Sequence, residues 1–177
     1  MGQLKYYVAA TLDGFIAHTD GSFDGFVWDD QMIADFLADL KQFGTVLMGR
    51  KTYEVGLKEG KTSPYPDMRQ ILFSTSMTSS PDPAVELVQD DVVQVVQSLK
   101  KESELDIWLC GGSQLASTLL KANLIDQVIV KLNPVIFGSG IPLFSLAVPM
   151  TGLQMFRQKS YPESGIVVIY YQVNVHI

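Results

Sequence analysis

Two short segments, each at the end of an apolar run, carry residues suited to holding a phosphate group. The first is VLMGRKTYE at 46–54, where Gly49 is followed by Arg50, Lys51 and Thr52. A helix that begins here offers unpaired N–H groups and a partial positive charge, and both favour an anion. Arg50 can add a bidentate, charge-assisted hydrogen bond. The competing interpretation is a tight turn that carries two solvated cations.

The second segment is IWLCGGSQLA at 107–116, where Gly111 and Gly112 separate a predicted strand from a predicted helix. Two glycines permit close backbone approach and a positive φ angle. The hydroxyl of Ser113 and the amides of Ser113, Gln114 and Leu115 would then face an anion. A tight turn is again the alternative, because the segment lacks the G-x-G-x-x-G pattern of Rossmann proteins.

Taken together, the two predicted helix starts favour a long ligand with separated phosphates. In an open α/β sheet, ligands bind at the carboxyl ends of strands where the connections change direction. A third predicted strand ends in Ser74, Thr75 and Ser76, whose hydroxyl groups could bind a further phosphate. The pattern therefore predicts a dinucleotide site.

The elements that would position these residues alternate between short apolar runs and helical patterns, which is typical of an α/β domain. Predicted strands cover 6–11, 45–48, 71–73, 85–88, 105–110 and 128–132, with a terminal hairpin at 153–159 and 166–175. Predicted helices begin at Asp29 or Asp30, after Gly49, at Asp90 and at Gln114, and the first is expected to include Phe43 and end at Gly44. Residues 18–28 form a Gly- and Asp-rich loop. We expect a mixed sheet with an antiparallel edge.

Composition limits the class of protein. The chain of 177 residues is about one domain long, so a single domain is predicted over 1–177. A net charge of −6 with scattered Lys and Arg makes nucleic acid an unexpected partner. One cysteine, Cys110, excludes an intrachain disulfide, and no signal peptide or apolar run of about 18 residues is present. We expect a cytoplasmic protein without a membrane span, and no motif indicates a metal site.

Five sequence blocks in a fixed order now identify a resemblance that covers nearly the whole chain. They are VAATLDGFIA at 8–17, VLMGRKTYE at 46–54, ILFSTS at 71–76, WLCGGSQLASTLLKANLIDQVIVKLNPVIFGSGIPLF at 108–144, and the terminal hairpin. The chain resembles the dihydrofolate-reductase-like superfamily, in particular the reductase (RibD C-terminal) domain of the bifunctional riboflavin-biosynthesis deaminase–reductase. The resemblance implies a three-layer α/β/α fold.

The resemblance also implies roles for individual residues around NADPH. The backbone of Ala9 and the side chain of Ile16 would flank the nicotinamide. The remaining residues implied to bind the cofactor are Gly49, Arg50, Lys51 and Thr52 at the adenosine phosphates, Ser74, Thr75 and Ser76 at the ribose and its 2′-phosphate, and Gly111, Gly112, Ser113, Gln114 and Leu115 at the pyrophosphate. The 2′-phosphate contacts would favour NADPH over NADH, and Gly111–Gly112 would contain a cis peptide.

Departures from the resemblance leave the substrate open. Dihydrofolate reductases carry an acidic residue on the helix after the first loop, and the matching position here falls near Ile33. Asp35 is expected on the polar face of that helix and Asp30 at its cap, so folate reduction is not expected. The chain also lacks the zinc-binding Cys/His cluster of a fused deaminase domain.

Two residues are predicted to serve catalysis. His18 follows DGFIA at 13–17, which is read as a strand, and could donate a proton near neutral pH, although a surface histidine without a role is the alternative. Asp13 could orient the loop or touch the substrate, and the alternative is an ordinary Asp-Gly turn residue.

We therefore expect an NADPH-dependent reductase that transfers a hydride to a small heterocyclic (pyrimidine- or pterin-like) or carbonyl substrate. One alternative is a non-catalytic dinucleotide-binding or dimerisation module. Another is a stand-alone 5-amino-6-(ribosylamino)uracil phosphate reductase of riboflavin synthesis. A homodimer through the apolar hairpin strand at 166–175 is predicted, because many relatives dimerise.

Overall fold

The computed structural model describes residues 1–145 and 147–174. Its strands are β1 (Leu4–Thr11), β2 (Phe15–Ala17), β3 (Phe43–Gly49), β4 (Arg69–Phe73), β5 (Val85–Val88), β6 (Asp106–Gly111), β7 (Gln127–Asn133), β8 (Ile141–Pro142), β9 (Gly152–Tyr161) and β10 (Ile166–Asn174). Its helices are α1 (Asp30–Leu40), α2 (Arg50–Lys58), α3 (Val92–Glu102) and α4 (Ser113–Lys121).

Eight strands form one sheet in the order β5-β4-β3-β6-β1-β7-β10-β9. The six strands from β5 to β7 are mutually parallel, whereas β10 runs antiparallel to both β7 and β9. This arrangement confirms the predicted mixed sheet. Because the six parallel strands share one direction, they all end at one side of the sheet, which is called the carboxyl edge below. Five of these strands have as their last residues Thr11, Gly49, Phe73, Gly111 and Asn133.

The alternation of side chains along the strands divides the core into two clusters, one on each face of the sheet. On one face Leu4 and Tyr6 pack with residues of α3 and α4 such as Val96 and Leu119. On the other face Tyr7 and Trp108 pack with residues of α1 and α2 such as Met32 and Tyr53. The fold therefore has the three α/β/α layers that the resemblance implies. The second face is called the α1 face.

Three predicted helix boundaries were wrong, and one of them is the start of α4, which begins at Ser113 and not at Gln114. Helix α1 ends at Leu40, and both Phe43 and Gly44 belong to β3. Phe43 is buried beside the Trp108 ring, so pairing in the sheet prevails over the helical spacing of its sequence. The N-cap of helix α3 lies one residue later than predicted. Asp91, rather than Asp90, accepts hydrogen bonds from the amides of Val93 and Gln94.

The terminal hairpin forms as predicted, within the described residues, and Val175 lies outside them. Strand β10 pairs on both sides, so β9 is one of the two edge strands of the sheet, and β5 is the other. A small second sheet of β2 and β8, which the sequence did not predict, ties the first loop to residues 141–142. None of the helices in the described part of the chain is long and apolar enough to cross a bilayer.

Candidate cofactor and substrate site

The two predicted anion-binding junctions meet at the carboxyl edge. Gly49 is the N-cap of α2 and Gly112 is the N-cap of α4, and neither helix has a side-chain cap. A Cβ atom on Gly49 would lie 3.4 Å from the Gly112 amide nitrogen. The two sets of unpaired helix-start amides are therefore adjacent, as a ligand with two phosphate groups requires.

Gly111 and Gly112 form the cis peptide that the resemblance implies. Gly111 has a φ of +141°, a region that residues with a side chain rarely adopt. A Cβ atom on Gly111 would lie 3.3 Å from Thr52 Oγ1, and one on Gly112 would lie 3.5 Å from the same atom. The close approach of α2 to this peptide thus explains why glycine stands at 111.

The hydroxyl of Ser113 identifies the part of the site that best fits a ligand oxygen. Its Oγ is the one fully buried side-chain polar atom within residues 1–145 and 147–174 that has no hydrogen-bond partner. Leaving a buried hydroxyl unpaired costs about 1–3 kcal/mol, so such an atom calls for an explanation. A phosphate oxygen at the start of α4 would supply the missing partner. Leu115 is buried and can offer only its amide, whereas Gln114 is exposed.

The cations predicted at the first junction lie on the surface at the start of α2. Arg50 donates to Glu54 Oε1 at 3.3 Å, with both side chains more than two-fifths exposed. An exposed pair of this kind contributes little to stability, so Arg50 can exchange Glu54 for a phosphate. Lys51 is exposed and Thr52 is half-buried against the glycine pair.

The three hydroxyl residues after β4 differ in their contacts. Ser74 is buried, and its Oγ accepts from the amides of Ser76 and Met77 at 3.3 and 3.2 Å. This turn leaves Thr75 and Ser76 exposed. Gly49 at the end of β3 pairs in register with Phe73 at the end of β4. The three hydroxyl residues that follow β4 therefore lie on the strand end next to the one that Arg50 follows. Their predicted contact with a 2′-phosphate stays a prediction.

On the opposite side of the glycine pair, the predicted nicotinamide contacts lie on β1 and β2. Ala9 and Ile16 are both half-buried. The loop between them is fixed by Asp13, which accepts from the Thr11 hydroxyl at 2.6 Å and from the Gly138 amide at 2.7 Å. These hydrogen bonds, the one from Thr11 first, lower the pKa of Asp13. Asp13 is thus an anion that orients the loop, and contact with a substrate stays a prediction.

His18 lies in the loop before α1 and stacks on Phe137, with ring centroids 3.8 Å apart. Its Nε2 lies 2.9 Å from the Asp24 carbonyl oxygen. Phe26 stacks on the same Phe137 ring at 5.3 Å. The loop 18–28 is therefore anchored to the segment after β7, and a proton-donating role for His18 stays a prediction.

Helix α1 presents no free carboxylate to the sheet. Asp35 was expected on the polar face, but it accepts from Tyr161 at 2.7 Å and pairs with Lys159. The hydrogen bond from Lys159, followed by that from Tyr161, lowers the pKa of Asp35. Ile33 instead packs against the core of the α1 face, so the acid of dihydrofolate reductases has no counterpart there.

Sequence reasoning missed Lys131 of β7. It pairs in register with Ala9, and its Nζ lies 3.7 Å from the centroid of the Phe36 ring. The signal was available, because VIVKLN places a single charged residue in an otherwise apolar strand. Within residues 1–145 and 147–174, no group of three or more His, Cys, Asp or Glu side chains is placed to hold a metal ion.

The sheet order and the three layers give the chain a dihydrofolate-reductase-like fold. Dihydrofolate reductase from Enterococcus faecalis, complexed with NADP(H) and RAB-propyl, superposes with a TM-score of 0.73 at 18% identity over 97% of this chain and 96% of that one. A "Putative riboflavin biosynthesis protein" from Shewanella sp. PV-4 gives 0.83 at 23% identity over 98% and 99% of the two chains.

The family follows from the sequence comparisons. The RibD C-terminal domain model matches residues 3–161, and the chain belongs to that family. The uncharacterized protein YwjB of Bacillus subtilis (strain 168) is 33% identical over 162 residues, which are 89% of this chain and 91% of YwjB.

Proposed function

We propose that this protein is an NADPH-dependent reductase that transfers a hydride to a small heterocyclic, pyrimidine- or pterin-like, or carbonyl-bearing acceptor. The observation that carries the proposal is the pair of open helix starts around the unpartnered Ser113 hydroxyl. Membership of a reductase-related family and the NADP(H)-bound fold relative support the same activity.

The residues present fit a dinucleotide. The helix-start amides after Gly112 and the Ser113 hydroxyl would bind the pyrophosphate, and Arg50 with the start of α2 would bind the adenosine phosphates. Thr75 and Ser76 would face the 2′-phosphate. Bound NADPH would supply the hydride.

The acceptor would lie on the α1 face, between α1 and the carboxyl ends of β1 and β7. Phe36 is half-buried in this part of the face, and its ring lies 5.1 Å from that of Tyr7 and 5.7 Å from that of Trp108, both of which are buried in the core behind it. The loop 18–28, held by Phe137, would exclude water from one side. A flat ring suits contact with the aromatic ring of Phe36.

An NADPH titration of the purified protein, followed by nicotinamide fluorescence with NADH in parallel, tests the proposal. We expect saturable binding that prefers NADPH. Absence of binding to both would mean that the helix starts are turns, and the reductase proposal would fail. Binding without oxidation across a pterin, flavin-precursor and aldehyde panel would favour the non-catalytic module.

A second candidate, the stand-alone 5-amino-6-(ribosylamino)uracil phosphate reductase, is favoured by the similarity to the Shewanella protein. It predicts turnover of the deaminated ribosylaminopyrimidine phosphate, and a lack of turnover would dispose of it.

We also propose a homodimer through the terminal hairpin. Because β10 is enclosed, the contact would have to involve β9, where Leu153, Met155 and Phe156 are about half exposed. Sedimentation of the protein at micromolar concentration tests this, and a monomer would contradict it.

A further inference from the structure

Lys131 is an unusual residue for the middle of a buried sheet. It lies on β7 between Ala9 of β1 and Val168 of β10, so its side chain rises from the interior of the sheet on the α1 face. The side chain is only half-buried, and Nζ lies 3.7 Å from the centre of the Phe36 ring and 5.4 Å from that of Tyr7. Cation–π contacts of this kind hold an ammonium group in place without neutralising it.

No acid compensates this charge in the described part of the chain, where none of the ion pairs includes Lys131. Two carboxylates of α1 make hydrogen bonds with other residues. Asp39 accepts from the hydroxyl groups of Tyr7 and Tyr170, and Asp35 pairs with Lys159 and Tyr161. Charges that are partly withdrawn from water are normally paired, so an uncompensated lysine is costly to keep at this position.

The remaining titratable neighbour is Cys110 at the end of β6. Burial raises the pKa of the Cys110 thiol to about 11, so it stays neutral and supplies no counter-charge. Burial lowers the pKa of Lys131 to about 8. The ammonium form is therefore dominant at pH 7 and can lose its proton near neutrality.

We propose that Lys131 is the proton donor and oxygen-recognising group of the acceptor site, and that the acceptor is a planar ring that turns a carbonyl oxygen towards β7. This inference rests on the proposed function and narrows its substrate class. An ammonium group has three donors and no acceptor, so it favours an oxygen-rich ring and disfavours one that presents amino groups.

The step is balanced with a reduced nicotinamide as the reductant. The acceptor carbon gains the hydride, and the electron pair of its double bond moves onto the attached or conjugated oxygen. That oxygen takes a proton from the Lys131 ammonium. The products are the reduced acceptor, the oxidised nicotinamide and neutral Lys131, which solvent reprotonates.

Binding of matched probes tests the proposal without turnover. Orotate differs from uracil by one carboxylate, which stands for the negative charge that builds up on the acceptor oxygen. Calorimetric titration of the protein, free and loaded with NADP⁺, should show orotate binding at least about tenfold more tightly than uracil at pH 6.5. In the Lys131→Met variant this preference should disappear. Lys121→Met, an exposed change of equal charge, should keep it.

The pH dependence separates a chemical role from a packing role. Between pH 6.5 and 8.5 the orotate affinity of the wild type should fall about fourfold, because the fraction of protonated Lys131 falls. Lys131→Arg stays charged over this range, so any preference that it retains should be independent of pH. Equal binding of orotate and uracil to the wild type, or an unchanged preference in Lys131→Met, would overturn the proposal.

The NADPH titration keeps the two proposals apart. NADPH should bind Lys131→Met as tightly as it binds the wild type. If the wild type fails to bind NADPH, the reductase proposal and the proton-donor role of Lys131 fall together, and the orotate titration of the free protein still decides whether Lys131 recognises an oxygen. If NADPH binds and the probes do not differ, only the assignment of Lys131 falls.

Discussion

The N-termini of the four helices are of two kinds. Asp29 caps α1 by accepting from the Met32 amide, and Asp91 caps α3 by accepting from two amides. Helices α2 and α4 have Gly49 and Gly112 as their N-caps, and these residues offer no side chain. The side-chain caps satisfy one amide of α1 and two of α3, whereas no side chain occupies the helix-start donors of α2 and α4 at the carboxyl edge. The comparison distinguishes helices that only support the fold from helices that can also bind a ligand.

The largest effect is expected from Gly111→Ala. The φ of +141° disfavours a side chain, and the new Cβ would approach Thr52 Oγ1 at 3.3 Å. Relief of this strained φ and close contact would displace Thr52 or the backbone at the start of α4, and both belong to the proposed cofactor site. NADPH affinity, measured by fluorescence titration, should fall by about 100-fold or more.

Gly60→Ala is the matched control for that change. Gly60 also has a positive φ, +77°, but nothing lies within 4 Å of its Cβ position. The Gly60→Ala variant should lose about 1 kcal/mol in free energy of unfolding and keep the NADPH affinity of the wild type. Equal loss of affinity in both variants would mean that the glycine pair has no particular role.

Arg50→Ala should weaken NADPH by roughly 10- to 100-fold, the range expected for a charge-assisted hydrogen bond. NADH should lose less, because it lacks the 2′-phosphate. Glu54→Gln, which removes the competing acceptor of Arg50, should bind NADPH at least as tightly as the wild type. Equal loss for NADPH and NADH would count against the 2′-phosphate assignment.

Ser113→Ala should act in opposite directions on stability and binding. It removes a buried hydroxyl without a partner, so thermal stability without cofactor should rise or stay unchanged, while NADPH affinity falls about tenfold. The control is Ser117→Ala. Its hydroxyl donates to the Ser113 carbonyl at 2.8 Å and accepts from the Ser145 amide at 2.8 Å, so its loss should lower stability more than affinity. Loss of stability in Ser113→Ala would contradict the assignment.

Sequence reasoning placed the starts of all four helices to within two residues, and its larger error was the end of α1. Glycines between an apolar run and a helical pattern marked α2 and α4, because only local backbone freedom is involved. The end of α1 was missed, since Phe43 continues the helical spacing and only pairing with β6 shows that it belongs to a strand. Residues 141–142 form a strand through contact with β2, which no local pattern reveals.

The same contrast applies to side chains in the site. Arg50 could be chosen from its position after Gly49, whereas the unpaired state of Ser113 depends on packing around it. Lys131 was visible as a charge in an apolar strand. Its significance depends on the surrounding Phe36 and Tyr7 rings and on the distant bonding of Asp39, and none of these is encoded nearby in the chain.

Asp91→Ala tests the helices that have a side-chain cap. Loss of the two cap hydrogen bonds should lower the free energy of unfolding by about 1 kcal/mol, measured by urea denaturation. NADPH affinity should not change, because α3 does not begin at the carboxyl edge pair of Gly49 and Gly112. Asp91→Asn, which keeps a cap acceptor, should recover most of the stability. A loss of NADPH affinity in Asp91→Ala would break the distinction between the two kinds of helix.

The smallest expected effect concerns the acid sensitivity of the α1 cap. The hydrogen bond from the Met32 amide lowers the pKa of Asp29 in the folded protein. A carboxyl whose pKa is lowered by folding contributes stability above its unfolded pKa of about 3.9, and this contribution is lost as pH falls through the folded pKa. Asp29→Asn cannot titrate, so its unfolding free energy should depend less steeply on pH below about 4 than that of the wild type. Thermal denaturation of both proteins between pH 3 and pH 6 measures the difference. If stability depends on pH equally in both proteins, the charge of Asp29 does not stabilise the fold. A neutral and a charged acceptor would then cap α1 equally well.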